Sequence, residues 1–294
     1  MLFAASTATR EALAYCRTTT SESFVPTLDK PCDEVGLKVA WNSSCVGYFV
    51  QTGGSSVRGI DVSTARAVAK AAFDAWGTSL CPADVATCSA AKSDRHPSIS
   101  ATDLGIATCT SADYSQTSGN ANMIFFRDTD WPHPDGDSTL ALTTVSFDVD
   151  TGEIYDADIE LNTLEHKITT DGRGPFDLQG ILTHEAGHFF GLAHTQPANT
   201  DAVMSIGSEK RALALDDTCG ICAIYDPART ATCDPAPRHG VAECARQPEV
   251  AKSTHGCHCK VGLSTGSDAG TGVVGALALV AGLLRRRASR CAQS

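Results

Sequence analysis

The segment THEAGHFFGLAH, residues 183–194, holds His184, His188 and His194 within eleven positions, with Glu185 beside the first histidine and Gly191 between the second and third. On an α-helix, residues four apart lie one turn above each other, so His184 and His188 project from one face and can share a cation. Glu185 is rotated by about 100° from His184, which sets it beside such a cation rather than on it. Gly191 tolerates positive φ and can end the helix in a sharp turn, so that His194 returns as a third ligand. Three neutral imidazoles leave one tetrahedral position open, the pattern of a catalytic rather than a structural zinc. Water at that position has its pKa lowered to about 7, and Glu185 is placed to take its proton and pass it to a leaving amine. Five fixed positions at about one in twenty, over about 300 starting points, give a chance expectation on the order of 10⁻⁴.

The elements that must hold these residues are partly legible. Asp177 is a good N-cap for the helix that carries the motif, and Phe176 is placed to staple onto Ile181. Val62, Ala65, Val68, Ala69, Ala72, Phe73 and Trp76 recur at three- and four-residue steps and predict a helix over 62–76. The alternating GLKVAW, 36–41, predicts a strand, as does NMIFFRD, 122–128. Residues 139–162 predict two strands joined by a turn at Asp150-Thr151-Gly152. Residues 78–120 read as loop, and a last helix is expected from Asp216-Asp217 to about Tyr225.

The chain has 294 residues, 42% of them hydrophobic, which suits a folded core. Its net charge is −11, from 23 Lys and Arg against 34 Asp and Glu. Four arginines (Arg285, Arg286, Arg287 and Arg290) lie in the last ten positions; without them the balance is 19 against 34, or −15, which argues against a nucleic-acid partner. Thirteen cysteines point to an oxidising compartment, hence a secreted or cell-surface location. Setting aside Cys291 leaves twelve, enough for six bridges whose pairing stays open. Cys219 and Cys222 in CGIC read as halves of two structural disulfides, because Asp216 and Asp217 disfavour a thiolate there; a dithiol oxidoreductase is the alternative. His96, His133, His166 and His239 read as surface residues.

Residues 1–14 read as the trailing end of a secretory signal, with the small-x-small site Ala12-Leu13-Ala14. A main domain is expected over 15–228, a Cys- and Pro-rich linker or disulfide-tied appendage over 229–262, and a tail over 263–294. That tail carries an apolar run, Ala269 to Leu284, before its arginines; at about 24 Å as a helix it falls short of the roughly 30 Å hydrocarbon core.

HEAGHFFGLAH, followed by Met204 ten residues after the last histidine, resembles the metzincin zinc proteases, and more narrowly the matrixin branch, the matrix metalloproteinase family. YDADIELN, 155–162, is similar to that family's last sheet strand and LDDTCGICAIYDP, 215–227, to its C-terminal helix. The likeness covers about residues 35–227. It implies an α+β fold, a twisted five-stranded mixed sheet with one antiparallel edge strand and three helices. It also implies zinc on His184, His188 and His194, Glu185 as general base, protein or peptide substrates, and Met204 as an apolar floor. The edge strand would be Leu140 to Asp148, pairing with an extended substrate. Where the family places histidines for a second zinc stand Leu142 and Asp158, so one catalytic zinc is expected. Asp135-Gly136-Asp137 could hold calcium, but so short a cluster reads more simply as a solvated acidic loop. DKPCDE around Cys32 is faintly similar to the family's zinc-blocking cysteine, though a disulfide is its simpler role. CHCKVG with the apolar run and LLRRR resembles the C-terminal sorting signal of myxobacterial surface proteins, with Cys257 or Cys259 as the motif cysteine and sorting machinery as partner. A monomer is expected. The alternative function is a non-catalytic surface adhesion module on the same scaffold.

Overall fold

A computed structural model describes residues 15–21, 32–33, 35–195 and 201–246. The expected signal remnant, the apolar run and the sorting motif lie outside the described residues. Chain order is β1 (Cys16–Arg17), β2 (Cys45–Gln51), α1 (Val62–Gly77), β3 (Ser100–Ala107), β4 (Met123–Phe126), β5 (Ala141–Phe147), β6 (Ile154–Leu161), β7 (Ile168–Thr169), β8 (Phe176–Asp177), α2 (Leu178–Phe189), β9 (Leu192–Ala193), α3 (Leu215–Ile224) and a 3₁₀ turn, Glu243–Ala245. The main sheet runs β3-β2-β4-β6-β5; all neighbours are parallel except β5, which pairs antiparallel with β6. This is the expected five-stranded mixed sheet with one antiparallel edge strand and three helices.

Alternation along the strands divides the apolar residues between two faces. Tyr48, Val50, Ile124, Phe126, Ala157, Ile159 and Leu161 pack with Phe73 and Trp76 of α1 and with Ile181, Phe189 and Phe190 from the motif-bearing segment. Phe73 stacks on Tyr48 and meets Phe189 and Phe190 edge-on. This layer fixes α2 against α1 and the sheet. On the other face Phe49, Met123 and Phe125 form a smaller cluster covered by Val241, Ala242, Cys244 and Ala245.

Three readings change. GLKVAW is not a sheet strand: it makes isolated bridges from Lys38 to Thr19 and from Ala40 to Glu153, and its alternation serves core insertion, with Trp41 donating through Nε1 to Phe189 O at 2.8 Å. The first sheet strand is β2, Cys45–Gln51. Residues 78–120, read as loop, contain β3; its row of half-buried residues with Asp103 and Gly105 carries little hydrophobic signal, and its pairing comes from β2. His166 is buried, not at the surface: its Nε2 meets Gly136 O at 2.7 Å and its ring packs edge-on against Phe176.

Five disulfides join described residues: Cys16–Cys32, Cys45–Cys233, Cys81–Cys222, Cys88–Cys219 and Cys109–Cys244. Cys219 and Cys222 thus belong to two different bridges, which tie α3 to the 81–88 loop and leave no CGIC dithiol. Cys233 and Cys244 fasten residues 233–244 to the sheet. Among the described residues no helix is long and apolar enough to cross a membrane.

Candidate metal centre

Helix α2 begins where expected. The Asp177 side chain accepts from Gly180 N at 2.9 Å, and Arg211 closes on the same carboxylate through Nε and a terminal nitrogen at 2.7 and 2.6 Å. The helix ends at Phe189 with Phe190 as its C-cap, and Gly191 turns the chain with φ +91. A Cβ there would lie 2.7 Å from Val39 O, so the turn needs glycine on both counts. Past the turn, β9 pairs antiparallel with β1, which Cys16–Cys32 anchors.

This turn brings the three imidazoles together. His194 Nε2 lies 3.1 Å from His184 Nε2 and 3.3 Å from His188 Nε2. The opposite ring nitrogens meet backbone carbonyls: His184 Nδ1 with Val203 O at 2.7 Å and His188 Nδ1 with Leu192 O at 2.9 Å. A carbonyl only accepts, so both Nδ1 atoms carry the proton and both Nε2 atoms present lone pairs to His194. A single Nε2–H on His194 could serve only one of them. A cation between the three nitrogens resolves this: Zn–N bonds of about 2.0–2.1 Å in tetrahedral array separate nitrogens by about 3.3 Å. The donor set and its spacing therefore fit a zinc ion. Burial pushes the His188 imidazole well below its ordinary pKa, aided by its two neighbours, and lowers His194 to about 4, so both are neutral at pH 7, as metal binding would require.

Glu185, the next residue round the helix, is 6% exposed. Burial raises its pKa, opposed by His184 and by a hydrogen bond from Thr143. Thr143 Oγ1 on β5 lies 2.6 Å from Glu185 Oε2. Met204 is buried under α2, where a Cβ at Gly187 would lie 2.2 Å from its Sδ. Its turn is held by Asp217 of α3, whose carboxylate accepts from Val203 N, Met204 N and Ala214 N at 2.8, 3.1 and 2.8 Å.

Sequence reasoning did not reach Thr143, Gly187 or the carbonyls of Leu192 and Val203, and read Asp217 as a helix start and as a charge disfavouring a thiolate at Cys219 and Cys222. The faint signal for Thr143 is a hydroxyl in the row Ala141, Thr143, Val145, Phe147, whose other members pack on the core. At the two sites raised for further metals, Asp158 Oδ1 accepts from Met123 N at 2.8 Å beside Asp156, and Gly136 O accepts from Asn162 Nδ2 at 3.0 Å and takes the His166 contact.

A five-stranded mixed sheet over a helix that carries two histidines, with a third returned by a glycine turn and a buried Met below, defines a metzincin-like scaffold. Residues 105–226 match the family model for Matrixin, which takes in β4 to β6, α2 and α3 with all three histidines and Glu185. That match supports a matrixin-like metzincin and, at the level of the family, a zinc metallopeptidase. No curated protein matches the chain.

Proposed function

We propose that the chain is a zinc-dependent endopeptidase with protein or peptide substrates outside the cytoplasm. The observation that carries this is the convergence of three imidazole Nε2 atoms, two of them oriented by Nδ1–H bonds to carbonyls, beside the buried carboxylate of Glu185. His184, His188 and His194 would hold one zinc. When bound there, zinc supplies Lewis acidity to a scissile carbonyl and lowers the pKa of an attacking water.

The chain's own residues supply the rest. Burial raises the basicity of Glu185, so its carboxylate takes the proton from the water and returns it to the leaving amine. Atoms balance: water adds across the peptide bond, giving a carboxylate and an amine. Among the described residues β5 pairs only with β6, so its outer edge is available for an extended substrate segment to add as a further strand. The segment after Met204 would wall the pocket for one substrate side chain. Five disulfides support an extracellular location, and the acidic balance supports a protein rather than nucleic-acid partner. We further infer that the chain acts as a monomer and that its tail is read by sorting machinery at the cell surface.

The test is digestion of casein and a peptide library by purified protein, with metal analysis, before and after a chelator. The proposal expects about one zinc per chain, cleavage lost on chelation, and recovery on adding zinc. Stoichiometric zinc with no cleavage of any peptide would favour the adhesion module.

A further inference from the structure

The inward row of β5 reads Ala141, Thr143, Val145, Phe147, and its three apolar members pack on the main core. Thr143 interrupts that row with a β-branched side chain of nearly the same outline as valine. What distinguishes it is the hydroxyl, whose contacts both go to one residue of α2: Glu185 Oε2 at 2.6 Å and Glu185 O at 3.2 Å. One hydroxyl has one proton, and a carboxylate oxygen at the shorter distance is the stronger acceptor. The backbone on either side is fixed, since Thr143 sits opposite Ile159 in the antiparallel ladder.

We propose that Thr143 is a positioning residue for Glu185: its hydroxyl holds Oε2, sets the carboxylate's orientation, and leaves Oε1 as the oxygen free to exchange protons. This rests on the endopeptidase reading. A glutamate has three side-chain torsions, and freezing them costs rotamer freedom. A charge-assisted bond from a rigid strand offsets that cost before substrate arrives. The same strand is the one along which a substrate would pair, so a single bond ties the substrate's register to the group that handles protons.

The test uses Thr143→Val and Thr143→Ser in the full chain, each loaded with zinc. For a peptide cleaved by the parent, Thr143→Val is expected to lower kcat about ten- to a hundredfold with KM within about twofold, and Thr143→Ser to restore most of kcat. Zinc content should be the same in all three. Crystals of the zinc forms should show the Glu185 carboxylate in one orientation in the parent and Thr143→Ser, and turned away or spread over several in Thr143→Val. An unchanged kcat or an unchanged Glu185 in Thr143→Val overturns the proposal. So do equal losses in Val and Ser, which would assign the effect to packing. Failure of the endopeptidase reading looks different: Glu185→Ala would hydrolyse as well as the parent, or no peptide would be cleaved, while the crystals still decide whether Thr143 orients Glu185.

Discussion

Between the two helical histidines, Gly187 leaves room for Met204 and Trp76: a Cβ would stand 2.2 Å from the sulfur and 2.8 Å from Trp76 Cζ2. Trp76 cannot retreat easily, because it is fully buried and donates through Nε1 to Thr183 O at 2.8 Å. Gly187→Ala should therefore destabilise the fold by about 1–3 kcal/mol through overpacking and shift the ligand helix. Urea unfolding of the zinc-free protein measures the first effect and the rate of zinc loss to a chelator the second; a variant unchanged in both would show that the Met204 turn yields freely. The convergence of the three histidines was legible in the sequence because it is local, two side chains at helical spacing and a third returned by one glycine turn. Their orienting partners were not, since the carbonyls of Val203 and Leu192 have no side-chain identity and Val203 is brought to His184 by tertiary folding.

The elements that were read correctly are those whose periodicity serves one apolar face. Helix α1 buries Ala65, Ala69, Ala72, Phe73 and Trp76 along one stripe, and β5 and β6 meet at the expected turn. Strands β2 and β3 were missed for different reasons. CVGYFVQ is buried throughout its first six residues, so no polar face marks it, while β3 at the sheet edge has no strong apolar face. Helix α3 has a role beyond packing, because Asp217 in its first turn gathers three backbone N–H groups from the Met204 turn and its own start. Asp217→Ala releases the turn whose Val203 carbonyl orients His184, and zinc affinity should fall by up to about 10- to 100-fold, the range for losing that carbonyl contact itself. Competition with a metal indicator reads this directly. Unaltered affinity would mean that the Met204 turn keeps the Val203 carbonyl in place without the carboxylate.

At the scale of the molecule, the outward face of the sheet stays buried because residues 241–245 cover it, and there β6 carries Asp156, Asp158 and Glu160 in one row. Glu160 is paired with Arg127 and meets His133 Nε2 at 2.7 Å, whereas Asp156 and Asp158 face each other and Asp156 Oδ1 has no hydrogen-bond partner among the described residues. Burial pushes Asp156 up to about 7 and raises Asp158 well above the carboxylate range, the latter helped by the charge of Asp156. A carboxyl with a folded pKa above its unfolded value of about 3.9 favours the folded state at low pH and loses that contribution as pH rises through the folded value. This pair should therefore weaken the fold between about pH 4 and pH 7 and above. Asp156→Asn keeps an amide oxygen to accept from the protonated Asp158 carboxyl and cannot ionise, so its urea midpoint should exceed the parent's at pH 8.5 and approach it at pH 4.5. Parallel curves for the two proteins across that range would show that the pair is not titrating.

Whether three histidines hold a zinc while Glu185 handles the proton is decided by peptide hydrolysis in Glu185→Ala measured alongside its zinc content. The variant should keep its zinc and lose hydrolysis by about 10²- to 10⁴-fold, the range for a lost general base. Full hydrolytic activity in a zinc-replete Glu185→Ala protein would contradict that role for Glu185.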